Sequence, residues 1–215
     1  MGYFLAVTAF RIDSVAGLTR IVTNHMNAHS VSCESIPVDS PPDHQRDAQI
    51  YAPVNGWTVI LWPEYFNLHD FPLVRTLAAS QQWLISTVHV YDGEYWEHLC
   101  CSGDTEVHAF CSRPGFWKEE SPDDFHLMSG YNREPSRLAS CVGISPQVVQ
   151  PYIVDVGSLP NPEVKAHLTD EFTLGNFWVF VDFWRRLGIM YPVPPQNLAA
   201  VLRFGLNVRK NLPVG

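Results

Sequence analysis

Residues 84–112 read LISTVHVYDGEYWEHLCCSGDTEVHAFCS. Three runs rich in β-branched and aromatic residues, Leu84 to Tyr91, Tyr95 to Ser102 and Thr105 to Ser112, are separated by Asp92-Gly93 and Gly103-Asp104, both two-residue hairpin signals. The stretch therefore predicts an antiparallel meander. If Gly103-Asp104 is a tight turn, the opposed pairs are Cys101/Glu106, Cys100/Val107, Leu99/His108, His98/Ala109, Glu97/Phe110 and Trp96/Cys111. That register puts Glu97, Cys101, Glu106 and His108 on one face and Trp96, His98, Cys100 and Cys111 on the other. A tight turn at Asp92-Gly93 likewise sets His89 opposite Trp96.

Working back toward the N-terminus, Tyr3 to Phe10 reads as a first strand. Val15 to Ala28 has apolar residues at helical spacing, with Asp13 or Ser14 as its cap. After a loop rich in Asp, Pro and His (Asp39 to Asp47), Gly56 opens the run Trp57 to Trp62 and Pro63 closes it, as expected of a buried strand. Phe71 to Trp83 predicts a second helix, with Asp70 as its cap. The order β-α-(short strand)-β-α-β-β predicts an α+β fold, ferredoxin-like (split β-α-β) or a related antiparallel sheet with helices on one face.

Beyond Ser121 the texture changes to short helices between prolines and glycines: Pro135 to Val142, Ser145 to Tyr152, Pro162 to Leu168, Phe177 to Leu187 and Gln196 to Phe204. They are too short to bury their faces alone. We expect residues 1–120 to form the sheet domain and residues 121–215 to be a helical C-terminal extension wrapped on the same core.

The chain has 215 residues, is 46% hydrophobic and carries a net charge of −8 from 14 Lys and Arg against 22 Asp and Glu. So few basic residues argue against a nucleic-acid partner, because neutralising phosphates takes a dense basic surface. The segment Leu138 to Val148 looks like the turn of a helix-turn-helix, but the helix after it holds no Lys or Arg and is interrupted by Pro151. Asn176 to Met190 is too short to span a bilayer and holds Asp182, Arg185 and Arg186 in its middle, so no membrane segment is expected. MGYFLAVTAFRID has no basic n-region, and the five cysteines form no CxxC; a strand rather than a signal peptide, reduced thiols and a cytoplasmic location are expected.

No GxSxG, P-loop or GxGxxG occurs, and nothing supplies a nucleophile to the His69-Asp70 pair near Glu64. His25 and His29, at i and i+4, share one face of the first helix and are spaced to chelate a divalent ion, although a solvated or capping pair is the better reading at the helix C-terminus. Two readings of function remain. The first is a non-enzymatic protein-binding module whose acidic face, Glu94, Glu97, Asp104, Glu106, Glu119 and Glu120, meets a basic partner, with no cofactor. The second is a metal-binding protein or metal-dependent enzyme using His98, His108 and Cys101 of the meander. The helix around Trp184 is aromatic on more than one face, which asks for core on two sides or for a second copy of the chain as a homodimer partner.

Ser86 to Trp117, with Phe110, Ser112, Pro114 and Phe116 as a Phe-x-Ser-x-Pro-x-aromatic element, resembles a pattern in uncharacterised bacterial proteins. Pro135 to Tyr152 is similar to the helical hairpin that follows it there. Small acidic α+β proteins of this general appearance resemble immunity or antitoxin-type proteins, a likeness of fold that implies a protein partner.

Overall fold

The computed structural model describes residues 3–64, 66–116, 134–192 and 198–208. Eight strands, β1 (Leu5–Phe10), β2 (Val31–Ile36), β3 (Asp47–Tyr51), β4 (Thr58–Leu61), β5 (Leu84–Tyr91), β6 (Tyr95–Ser102), β7 (Thr105–Cys111) and β8 (Ala200–Val208), form one sheet in the order β2-β8-β3-β4-β1-β5-β6-β7. Every neighbouring pair is antiparallel. The α+β class holds, but the sheet is twice the size of a four-stranded split β-α-β unit.

Nor do the helices keep to one face. On one side, α1 (Val15–Ala28) and α2 (Asn67–Gln81) press Leu18, Val22, Leu73 and Leu77 onto Phe10, Ile50, Ile60, Leu99 and Phe204. On the other, α3 (Pro135–Val142), α4 (Pro146–Val149) and α5 (Val179–Arg186) bring Leu138, Val149, Phe180, Phe183 and Trp184 against Val7, Val88, Trp96 and Phe110. Burying apolar surface on both faces explains why the interior strands read as near-continuous hydrophobic runs.

Local chemistry sets the boundaries. Ser14 accepts from the Gly17 N–H at 3.1 Å to cap α1. Ser30 (φ 64°) and Gln82 (φ 55°) adopt left-handed backbone just beyond the last turns of α1 and α2. Because α2 begins at Asn67, Asp70 lies inside it rather than capping it. Pro162 to Leu168, expected as a helix, forms turns and bends rather than a helix.

The largest departure is at the C-terminus. Gln196 to Phe204 reads as a helix because Leu198, Val201 and Leu202 recur at three and four. Residues 200–208 instead form β8, inserted between β2 and β3. Arg203, which interrupts any apolar alternation, is 2% exposed and spends its guanidinium on Asp47 and on the carbonyls of Pro37, Ser40 and Pro41. The C-terminal part thus supplies a strand of the sheet as well as the helical wrap.

Both meander turns differ from the simplest reading by one residue, in different ways. Tyr91 pairs with Tyr95, so the first loop has three residues, with positive φ at Asp92 (53°) and Gly93 (71°), and His89 faces Glu97 rather than Trp96. At Gly103-Asp104 the turn is tight, but a bulge follows: Cys101 pairs with Glu106 and Cys100 with His108, leaving Val107 as the extra residue. Every residue of β7 from His108 onward is thereby moved to the opposite face from the one expected.

Candidate functional site

The bulge has a chemical consequence. His98 and His108, expected on opposite faces, meet within the α5-side core with their Nδ1 atoms 2.8 Å apart. His98 Nε2 lies 2.8 Å from Ser86 Oγ, and the Trp184 indole N–H donates to that hydroxyl at 3.1 Å. Serine, histidine and a second histidine are thus joined as nucleophile, base and orienting group would be. Ser86 is only 1% exposed and both histidines are fully buried. Phe183 and Trp184 of α5 cover them, with the Phe183 ring 4.9 Å from that of His98. The relay is closed off from solvent in this position.

Burial pushes the His108 imidazole down to about 3. Burial, then the neighbouring His108, holds His98 well below the usual histidine range. Both rings are neutral. Cys101, the third expected metal ligand, points into the α1/α2 core instead, where burial raises its thiol to about 11. Among the described residues no group of three or more His, Cys, Asp or Glu side chains is arranged to hold a metal ion.

The acidic residues singled out in the sequence are spread apart. Glu94 is exposed and paired with Arg113 at 2.5 Å at one end of the β6–β7 hairpin. Glu106 is paired with Arg75 of α2 at 2.9 Å near the other end, beside the exposed Asp104. Eight strand residues, about 25 Å, separate those ends. Glu97 is buried on the sheet. Glu119 and Glu120 lie outside the described residues.

A cleft of about 490 Å³ opens instead on the α5 side of β1, β3 and β4. Leu5, Asp47, Gln49 and Leu61 contribute from the strands. The aromatic rings of Tyr3, Phe172, Trp178 and Tyr191 form walls, and His44, Glu64 and Glu171 carry the polar chemistry at the exposed rim. The rings brace one another: Tyr3 sits 5.4 Å from Trp178, Trp178 meets Tyr191 edge-on at 5.7 Å, and Phe172 lies 6.5 Å from Trp178. The Tyr191 and Tyr3 hydroxyls share a hydrogen bond, and burial followed by the nearby Glu64 raises the Tyr3 phenol.

Two buried carboxylates shape this cleft. Asp182 accepts the N–H groups of Glu171 and Phe172, each at 2.8 Å, and binds Arg185 at 2.7 Å, fixing the irregular wall in place of regular secondary structure. Asp47, at the floor, accepts the Asp43 N–H at 2.9 Å and the Arg203 guanidinium. Its carboxyl is held below the usual range: burial raises it, and the Asp43 N–H and the Arg203 and Arg46 guanidinium groups outweigh that. None of the cleft residues is linked by a motif; they come from five separate stretches of the chain, which is why spacing alone could not find them.

The aromatic helix, read from the sequence as needing core on two sides or a second copy of the chain, is α5; its Phe180, Phe183 and Trp184 are fully buried in the core, while Arg185 is exposed. No described helix is long and apolar enough to cross a membrane. Compared with known proteins, the chain matches no family model, no curated protein and no solved structure.

Proposed function

We propose that the chain is a non-enzymatic recognition module that takes a basic side chain of a partner protein into the cleft over β1, β3 and β4. One observation carries the reading: flat aromatic walls and the carboxylates of Glu64 and Glu171 line a single cleft in a chain of net charge −8. A cation with an apolar stem suits such a site, because the ring faces attract the charge while the stem covers the rings. Glu94 and Asp104, at the two ends of the β6–β7 hairpin, add to the negative field that steers a basic partner. The likeness to immunity and antitoxin-type proteins agrees with a protein as that partner.

The test is calorimetric titration with an acetylated, amidated tri-arginine peptide and its tri-glutamate counterpart at low and high salt. The arginine peptide should bind and weaken with salt, and Glu64→Lys and Trp178→Ala should each weaken it by about tenfold or more, near 1.4 kcal/mol. Equal binding of the two peptides, or binding indifferent to both substitutions, would overturn the proposal.

A further inference from the structure

On the opposite side of the sheet, at the last turn of α1, His25 and His29 stack with ring centroids 4.2 Å apart and planes inclined by 29°. Both line a cavity of about 300 Å³ with Met26, Val31, Phe66, Pro72, Leu73 and Thr76. We propose that His25 and His29 form a two-histidine site for a late first-row divalent ion, with Cu²⁺ the best-suited member of the class. This site is independent of the cleft and its basic ligand.

Three features support it. The i, i+4 spacing sets both imidazoles on one side of the end of α1, with His29 as its C-cap residue; the rings stack, and rotation of the His25 ring about its side-chain bonds lets the two lone pairs converge on one ion. The Nδ1 of His29 lies 2.8 Å from the His25 carbonyl oxygen; since a carbonyl only accepts, the Nδ1 carries the proton and the Nε2 lone pair is left outward. A ring N–H anchored on a backbone carbonyl is the outer-shell arrangement that fixes metal-binding histidines. Finally, imidazole nitrogen is a donor suited to Cu²⁺, Ni²⁺ and Zn²⁺ rather than to Ca²⁺ and Mg²⁺, which take oxygen. Cu²⁺ stands highest of these in intrinsic affinity, and water completes its coordination.

His29 caps the helix with the same hydrogen bond that directs its other nitrogen outward, so the capping role and the metal role coexist. Among the described residues the site provides two ligands, so the protein should bind the ion reversibly and leave positions open to exchange.

The experiment titrates the full chain with Cu²⁺ alone at neutral pH, reading stoichiometry by calorimetry and counting imidazole nitrogens from the superhyperfine splitting in electron paramagnetic resonance. One ion per chain with two nitrogens is expected. His25→Gln and His29→Gln should each drop the count to one and weaken binding by about tenfold or more, while His167→Gln leaves both readouts unchanged. Circular dichroism of the variants separates ligand loss from misfolding, and a rise in the wild-type melting temperature with Cu²⁺ but not Mg²⁺ gives a second readout needing no variant. Absence of binding, or binding that survives both substitutions with two nitrogens, would overturn the proposal.

Discussion

The Nδ1 atoms of His98 and His108 face each other at 2.8 Å inside the core, so one ring must donate and the other accept. If the Trp184 N–H donates to Ser86 Oγ and the Ser86 hydroxyl donates to His98 Nε2, the His98 proton sits on Nδ1 and points at His108. His108 then carries its proton on Nε2, which has no hydrogen-bond partner. This direction leaves one buried group unsatisfied, whereas the reverse strands both the Ser86 proton and the His108 lone pair. Long-range ¹H–¹⁵N spectra should show His98 as the Nδ1–H tautomer and His108 as the Nε2–H tautomer; the opposite pair would reverse the relay.

The same burial makes the fold acid-sensitive. In the unfolded chain both rings titrate near about 6.5, whereas in the folded chain His108 resists protonation down to about 3 and His98 is also strongly lowered. Below about pH 6 the unfolded state binds more protons, so unfolding free energy falls with pH by about 1.4 kcal/mol per unit for each histidine. The contribution is present in full above the unfolded value and is lost progressively as pH falls toward the folded values. Urea denaturation between pH 7 and pH 4 measures the slope. His108→Gln, which removes one of the two titrating rings, should reduce it by about half.

At the floor of the cleft, Arg203 and Asp47 are each 2% exposed and form an ion pair inside the protein. Arg203→Met removes the buried counter-charge of Asp47, leaving it the Asp43 N–H and Arg46 at 3.6 Å, and should cost about 3 kcal/mol, whereas Arg203→Met combined with Asp47→Asn should recover much of that loss. The double-mutant cycle by chemical denaturation reads the coupling directly; simple additivity would show that the two charges act independently.

Much of this architecture is legible in the sequence and some is not, for physical reasons that differ from element to element. α1 runs from Val15 to Ala28 as its periodicity and Ser14 cap predict, and the three meander strands fall where the Gly-containing turns put them. β8 is hidden because Arg203 reads as a surface residue until Asp47, 156 positions earlier, is brought beside it. The His98–His108 contact is hidden because a bulge carries no strong local signature: nothing in Glu106-Val107-His108 marks Val107 as the extra residue. The cleft is hidden for a third reason, since Tyr3, Glu64, Glu171 and Trp178 meet only once the eight-stranded sheet is assembled.

The bulge itself can be tested by deletion. Removing Val107 makes Cys101/Glu106 and Cys100/His108 consecutive pairs, so His108, Ala109 and Phe110 keep their faces and the strand loses only its extra residue and one buried side chain. The deletion should therefore cost about 1–3 kcal/mol, comparable to Val107→Ala, and keep the His98–His108 tautomer signals. Loss of those signals in a folded deletion variant, with Val107→Ala retaining them, would show that the bulge itself positions His108.

Asp182 offers a way to perturb the cleft without touching its ligand. Its side chain is fully buried, and one oxygen accepts both the Glu171 and Phe172 N–H groups while the other accepts from Arg185. In Asp182→Asn the negative charge is lost, and the amide that replaces one oxygen cannot accept, so either the two backbone donors or the arginine loses its partner. Stability should fall by about 2–4 kcal/mol. Glu171 and Phe172, released from their anchor, would order on binding at an entropic cost, so affinity for the tri-arginine peptide should drop even though Asp182 does not line the cleft. Calorimetry well below the melting transition separates the two effects: weakened binding by a folded variant supports a pre-organised wall, and unchanged affinity would show that Glu171 and Phe172 contribute no ordering to recognition.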